Sequence, residues 1–433
     1  MTPQTDKGKQ GEDFIIKIAS KTFLKYWCYP NPKDENGDNK EICDLLILFN
    51  DTLLIICVKN YEFKGTYNKY FKKTINKDIR QIAGAERKLL DSNRTIFIKH
   101  PDREPEEFKR SAIKNVFRIV VHLGENVRFY PLFGRTNRDC FVHIFDKDTF
   151  ETILSELDTI PDFIEYLDKK ENAFKDTSAI ILPKDEYDFD PIAGQQLQEY
   201  SDLKLLERKQ KLIFISGTEY DLLAHFLLHD RTMPEQIGSE KLGWAVFLID
   251  GAWVDFNKRK EVLLKKSRDK MSYFVDEFVK NELLVNPNEG RIKLAKELLS
   301  FSRFDRRVIS KSFFTFYYSN KNRSSTSISR RYWKLNNVGF VFVLYPTNWL
   351  DLSINTILDL ALKSFCISDN YQAKKMILIA NKADLTQFRF GYVDSVVQFS
   401  KKEEREIMKD VKKLGWFSDI DYSHYNEIEY PDN

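Results

Sequence analysis

Apolar residues in the first part of the chain recur with a helical spacing and then with a strand spacing. In GEDFIIKIASKTFLKY (11–26), Phe14, Ile15, Ile18, Ala19 and Phe23 fall at intervals near three and four, which predicts an amphipathic helix. A polar stretch rich in Asn, Pro, Asp and Gly follows at 30–40. Two apolar runs, ICDLLILF (42–49) and TLLIICVK (52–59), then flank Asn50-Asp51 and predict a β-hairpin. Beyond a Lys- and Tyr-rich loop, INKDIRQIAGAERKLLD (75–91) predicts a second helix, and the β-branched and aromatic runs TIFIKH (95–100) and FRIVVHL (117–123) predict strands. The order is helix, hairpin, helix, strand, strand.

Further strands are expected around Val127–Phe133 and Cys140–Phe145, and a helix from Thr149 to Lys169. The acidic, proline-bounded PKDEYDFDP (183–191) marks a linker, so the expected division is 1–172, a linker at 173–192, and 193–433. The second part mixes strand candidates (KLIFIS, WAVFLID, GFVFVLY, KMILIA) with helices at Thr218–Asp230, Arg259–Leu284 and Lys401–Leu414. It reads as an α/β or α+β domain.

Length and composition narrow the class. At 433 residues the chain exceeds one ordinary domain, and 42% hydrophobic with 31% charged residues predicts a soluble globular protein. No run has the length of a membrane span, and MTPQTDKGKQGEDF carries no apolar signal stretch, so the expectation is a cytoplasmic protein with no membrane association. Five scattered cysteines form no CxxC pair and predict no disulfide framework. The balance of 68 Lys plus Arg against 65 Asp plus Glu decides nothing about nucleic acid; distribution must.

The hairpin concentrates the candidate chemistry. With Asn50-Asp51 as a two-residue turn, Asp44 falls opposite Cys57, and Lys59 lies two residues farther on the same face as Leu46, Leu48, Leu53 and Ile55. Charged groups rarely enter such a face unless paired or functional. Two readings stay open at this point: a cross-strand ion pair at the sheet end, or a catalytic pair.

Gly11-Glu12 in the first helix, Cys43-Asp44-Leu45-Leu46, Cys57-Val58-Lys59-Asn60-Tyr61 with Gly65, and Gln81 in IRQIAGAERKLL together resemble the PD-(D/E)XK nuclease superfamily. Within it the nuclease-related domain (NERD) group is nearest, and the likeness covers residues 8 to about 125. The resemblance implies a restriction-endonuclease-like αβββαβ core followed by a second α/β or α+β domain. It also implies hydrolysis of nucleic acid phosphodiesters with Mg²⁺ or Mn²⁺, DNA ahead of RNA, in a setting such as bacterial defence. By the same resemblance Asp44 and Glu12 bind metal, the Val58 carbonyl completes the site, Lys59 serves water and phosphate, and Cys57 and Gln81 stand behind them. The family has an acid or amide where this chain has Cys57, which supplies no hard oxygen. Asp78, close to Gln81 on one helix face, is the candidate replacement, and Glu86 points on another bearing. The alternative is a catalytically degenerate nuclease fold acting as a binding or scaffold protein. Cys57 as a nucleophile has no His partner in any sequence word.

Residues 301–336 hold nine basic residues and one acid, interleaved with aromatics, which suggests a nucleic-acid surface of Arg306, Arg307, Arg330, Arg331, Tyr332 and Trp333. The bland reading makes FFTFYY a core strand with solvated basic flanks. The second domain is also where a protein partner or a second copy would bind. The acidic tail from Phe417 either covers a basic groove or is solvated. His225 and His229 lack the glutamate of HExxH, and ILIANKADL has the NKxD word of GTPases without any GxxxxGK[ST], so neither is read as a site.

Overall fold

Three strands open the first sheet: β1 (Cys28–Pro30), β2 (Leu45–Phe49) and β3 (Thr52–Lys59). A two-residue turn joins β2 to β3, with Asn50 at φ 55°, a left-handed conformation that Asn tolerates. The register pairs Leu45 with Ile56 and Phe49 with Thr52, so the spacing expected from the sequence holds along the whole hairpin. This computed structural model describes residues 11, 13–14, 17–18, 25–63, 66–124, 131–182, 194–195, 198–199, 201–202, 211–238, 243–349, 351–417 and 426–431.

A two-residue ribbon, β4 (Phe97–Ile98) and β5 (Glu106–Glu107), stands apart from the main sheet. The main sheet is completed by β6 (Asn115–His122), β7 (Phe133–Arg135) and β8 (Phe141–Asp146), in the order β1-β2-β3-β6-β8-β7. β6 runs parallel to both β3 and β8, and the remaining pairs are antiparallel. A parallel β3–β6 pair needs a crossover. Helices Tyr67–Lys73 and Ile75–Glu86 supply it, the first occupying much of the expected Lys- and Tyr-rich loop. Ile75, Ile79, Ile82 and Ala85 recur at helical spacing and pack with Leu46, Leu53, Ile55, Cys57 and Val120.

The described positions between 11 and 18 are helical, and Phe14 is buried with its ring 6.4 Å from that of Phe150. The single helix expected from Thr149 to Lys169 is two, Lys147–Glu156 and Ile160–Ala173, because Thr159 caps a new start with Pro161 in its first turn.

The expected linker at 173–192 contains a strand, which corrects the division of the chain. β9 (Thr177–Leu182), β10 (Lys211–Ser216) and β11 (Trp244–Leu248) form an all-parallel sheet in the order β11-β10-β9. Ala179, Ile213 and Phe247 share a core with Phe133, Phe141 and Phe174, so this sheet is continuous in packing with what precedes it. The two compact units are Met1–Leu263 and Leu264–Asn433, divided within helix Lys260–Asp269. PKDEYDFDP lies outside the described residues apart from its place in the chain.

In the second unit β12 (Ser329–Leu335), β13 (Val338–Tyr345), β14 (Lys375–Lys382) and β15 (Phe388–Val393) form a mixed sheet in sequence order. Helices Asp351–Ser368 and Lys401–Lys413 cover one face around Val341, Val343 and Met376. The other face, through Phe340 and Phe342, meets Phe301, Phe313 and Phe316. FFTFYY belongs to helix Arg303–Asn320, started by a Ser302/Asp305 capping box, and not to a strand. Both units are mixed α/β. Among the described residues no helix is long and apolar enough to cross a membrane.

Gly124 marks a close approach just beyond Lys59 and β6: a Cβ there would lie 1.9 Å from the Tyr61 carbonyl oxygen. Backbone cannot yield as a side chain can. Gly124→Ala is therefore expected to destabilise the fold by about 1–3 kcal/mol, read from urea unfolding, and an unchanged midpoint would contradict the contact.

Candidate functional site

The end of the hairpin brings Asp44 and Lys59 together. Val58 N–H donates to Asp44 Oδ2 at 2.7 Å, and Lys59 Nζ lies 3.6 Å from the same oxygen. Asp44 is held from behind, its carbonyl accepting Asn31 N–H at 2.8 Å. Both side chains are largely enclosed, 15% and 19% exposed, so their attraction is less screened than at an open surface. Burial alone would lower the Lys59 pKa. The Asp44 carboxylate, with smaller contributions from Cys57, Asp78 and Tyr61, outweighs it, and the pKa is raised. Lys59 pairs in register with His122, so the site sits at the carboxyl ends of two adjacent parallel strands, where open α/β sheets place ligands.

Asp78 comes in from helix Ile75–Glu86 and is fully buried, with its Oδ2 3.6 Å from His122 Nε2. Neither oxygen of Asp78 has a hydrogen-bond partner among the described residues. Burial pushes its carboxyl up to about 7, opposed by Lys59 and reinforced by Asp44. Burial, with the nearby Lys59 charge, lowers His122 to about 4. At pH 5 the folded pair therefore carries its proton on the carboxyl and keeps the imidazole neutral.

Glu41 is the group that sequence reasoning missed. It sits at the rim, its backbone bridged to that of Lys33, with its carboxyl near enough to Asp44 to feel that charge. Its pKa is raised by burial first, then by Asp44, against the pull of Lys59. The two acids are three residues apart in an irregular segment, and no periodicity marks Glu41 as facing the site.

The other expected residues divide. Cys57 is fully buried in the core beneath helix Ile75–Glu86, and burial, with Asp44, pushes its thiol pKa up, so it is a neutral core side chain and neither ligand nor nucleophile. Gln81 is half-buried one turn beyond Asp78. Glu86 is taken by Arg118, 2.6 Å from its Nε. Glu12 lies outside the described residues. Among the described residues no three His, Cys, Asp or Glu group to hold a metal. His225 and His229 stack with ring centroids 3.9 Å apart.

The arginine surface expected at 301–336 is corrected. Arg306 and Arg307 are each 2% exposed. Arg306 pairs with Asp276 at 2.6 Å and donates to the Leu299 carbonyl, and Arg307 pairs with Asp269 at 2.9 Å and donates to the Ile428 carbonyl. Arg330 lies over Trp416, and Arg331 donates to the Ser312 carbonyl. Tyr332 stacks on Phe365 and Trp333 on Phe340, both facing the unit's own aromatics and not an open groove. The described part of the acidic tail meets two helices, Glu427 pairing with Lys311 of Arg303–Asn320 and Glu429 with Lys265 of Lys260–Asp269. Local composition shows a surplus of positive charge; the acids that neutralise it lie far along the chain.

No protein-family model, curated protein or solved structure matches the chain.

Two outcomes check this geometry. Between about pH 4 and 6.5 the unfolded chain holds its proton on His122 and the folded pair holds it on Asp78, so the pair adds little pH dependence to stability. Asp78→Asn leaves only the depressed His122, and stability should rise by about 1.4 kcal/mol per pH unit over that window. His122→Gln leaves only the raised Asp78, whose contribution is present below about pH 4 and lost as pH rises to about 7. Urea unfolding across pH measures both, and parallel profiles for wild type and variants would contradict the assignment. Separately, Arg306→Ala takes one of its two arginines from Asp276, which keeps Arg303, and leaves the Leu299 and Phe301 carbonyls without this donor; it should cost about 2–3 kcal/mol, whereas a solvated arginine would cost under about 0.5 kcal/mol in the same unfolding measurement.

Proposed function

We propose that the N-terminal unit is a restriction-endonuclease-like phosphodiesterase that hydrolyses nucleic acid, DNA ahead of RNA, with Mg²⁺ or Mn²⁺. The element order supports this reading: a helical start, β1, β2 and β3 as an antiparallel meander, the crossover helix Ile75–Glu86, then β6 parallel to β3. The observation that carries it is the meeting of Asp44 Oδ2 with Lys59 Nζ and Val58 N–H at one sheet end.

The donors suit a hard cation. Asp44 and Glu41 interact electrostatically at the rim of the site, and Mg²⁺ typically takes one or two carboxylates while keeping much of its water. Asp44 and Glu41 would hold it, with the Val58 carbonyl and Glu12 assigned by resemblance. Asp78 is left as a buried, proton-holding group behind Lys59. A bound Mg²⁺ would polarise a phosphoryl oxygen and lower the pKa of a coordinated water. Lys59, kept charged by Asp44, offsets the charge that builds on the phosphate, and its attachment to the sheet fixes where that charge must develop. Asp44 orients Lys59 in turn, and the Val58 N–H limits the swing of the carboxylate.

Cys57 favours a second reading, a degenerate nuclease fold that binds without cutting. Cleavage of plasmid DNA by the full chain in Mg²⁺ distinguishes them. In the catalytic reading Asp44→Asn and Lys59→Met each lower cleavage at least about 100-fold, Glu41→Gln lowers it and raises the Mg²⁺ needed, and Cys57→Ser leaves it within about twofold. Binding without cleavage by wild type supports the degenerate reading. Cleavage retained by both Asp44→Asn and Lys59→Met places the site elsewhere.

A further inference from the structure

Among the described residues β15 ends the second unit's sheet and is paired on one side, to β14, without interruption from Val393↔Met376 to Phe388↔Asn381. In an antiparallel pair alternate residues turn their N–H and C=O groups away from the partner. Natural edge strands are usually blunted by lysine, proline, a bulge or extreme shortness. The six residues FRFGYV contain no lysine and no proline, and all six are half-exposed.

This edge is the floor of a cleft of about 730 Å³. Segment 281–291 forms one wall, and helix Asp351–Ser368 forms the other through Asn355, Leu358 and Leu362. Alternation along β15 addresses the two walls separately. Phe388 and Phe390 turn toward the first, packing on Phe278, with the Arg291 guanidinium 5.1 Å above the Phe390 ring. Arg389 and Gly391 turn toward the second. Arg389 donates to Asn355 Oδ1 at 2.9 Å, and a Cβ on Gly391 would meet Leu362 at 3.5 Å, so its absence leaves a shallow apolar slot.

We propose that this cleft binds an extended peptide segment of a protein partner, which adds to β15 as a fifth strand. Its side chains would alternate, acidic toward Arg291 and small or apolar toward Leu358, Leu362 and Gly391. A strand edge offers donors and acceptors in alternation, which a peptide backbone answers in kind; a phosphodiester backbone offers acceptors only. Glu282 and Asp359 also line the cleft, but Arg291 has no carboxylate partner among the described residues, and its stacking on Phe390 and its hydrogen bond to the Asn286 carbonyl hold it in place for one.

Selection of a random dodecapeptide display library against the full chain tests the proposal. Enriched peptides should alternate with period two, with Asp or Glu on one parity and small or apolar residues on the other. N-methylation of alternate amides in a selected peptide should weaken binding at least about tenfold on one parity and little on the other. Arg291→Glu, with its unfolding midpoint checked as unchanged, should weaken binding about tenfold, and Asp/Glu→Lys in the peptide should restore it. No enrichment, enrichment without alternation, equal tolerance of N-methylation on both parities, or indifference to Arg291→Glu would each overturn it.

Discussion

A two-residue turn at Asn50-Asp51 sets the register on which the site depends. With Leu45 opposite Ile56, Asp44 emerges just ahead of β2 at the level of Val58 and Lys59, and Val58 N–H can close on its carboxylate. One extra residue in the turn would send Asp44 to the opposite face of the sheet from Lys59. The helix that crosses from β3 to β6 then packs on that same face through Ile75, Ile79 and Ile82, which delivers Asp78 to the underside of the pair. Fold and site share one constraint.

A single ammonium serves three carboxyl groups in this arrangement. Lys59 faces Asp44 directly and opposes the upward shifts of Glu41 and Asp78. Three ionised acids around one cation in a partly buried space would repel. The resolution is visible in directions: Glu41 and Asp78 are pushed toward their protonated forms, while Lys59 is held charged. Under the proposed function, a site proton-loaded in this way would exchange protons for the cation.

Much of this was legible in the sequence, and the failures have physical causes. Period-two runs and a short polar turn were enough for β2, β3 and their register, because both depend on local chemistry. Glu41 was invisible because it lies in an irregular segment where neither a helical nor a strand period fixes which way its side chain turns. Arg306 and Arg307 looked like a nucleic-acid surface because charge was counted along the chain, whereas Asp269, Asp276 and the tail reach them through space. The boundary was misplaced because an acidic, proline-bounded stretch resembles a linker even when the strand before it, β9, pairs in register with β10.

The central proposal is that Asp44 and Glu41 would hold a cation beside Lys59. Anomalous diffraction from crystals of the full chain soaked in Mn²⁺ tests it most directly. The account predicts a manganese peak at the Asp44 and Glu41 carboxylates, absent in Asp44→Asn. A peak elsewhere in the N-terminal unit, or none at these carboxylates with both side chains well ordered, would contradict it.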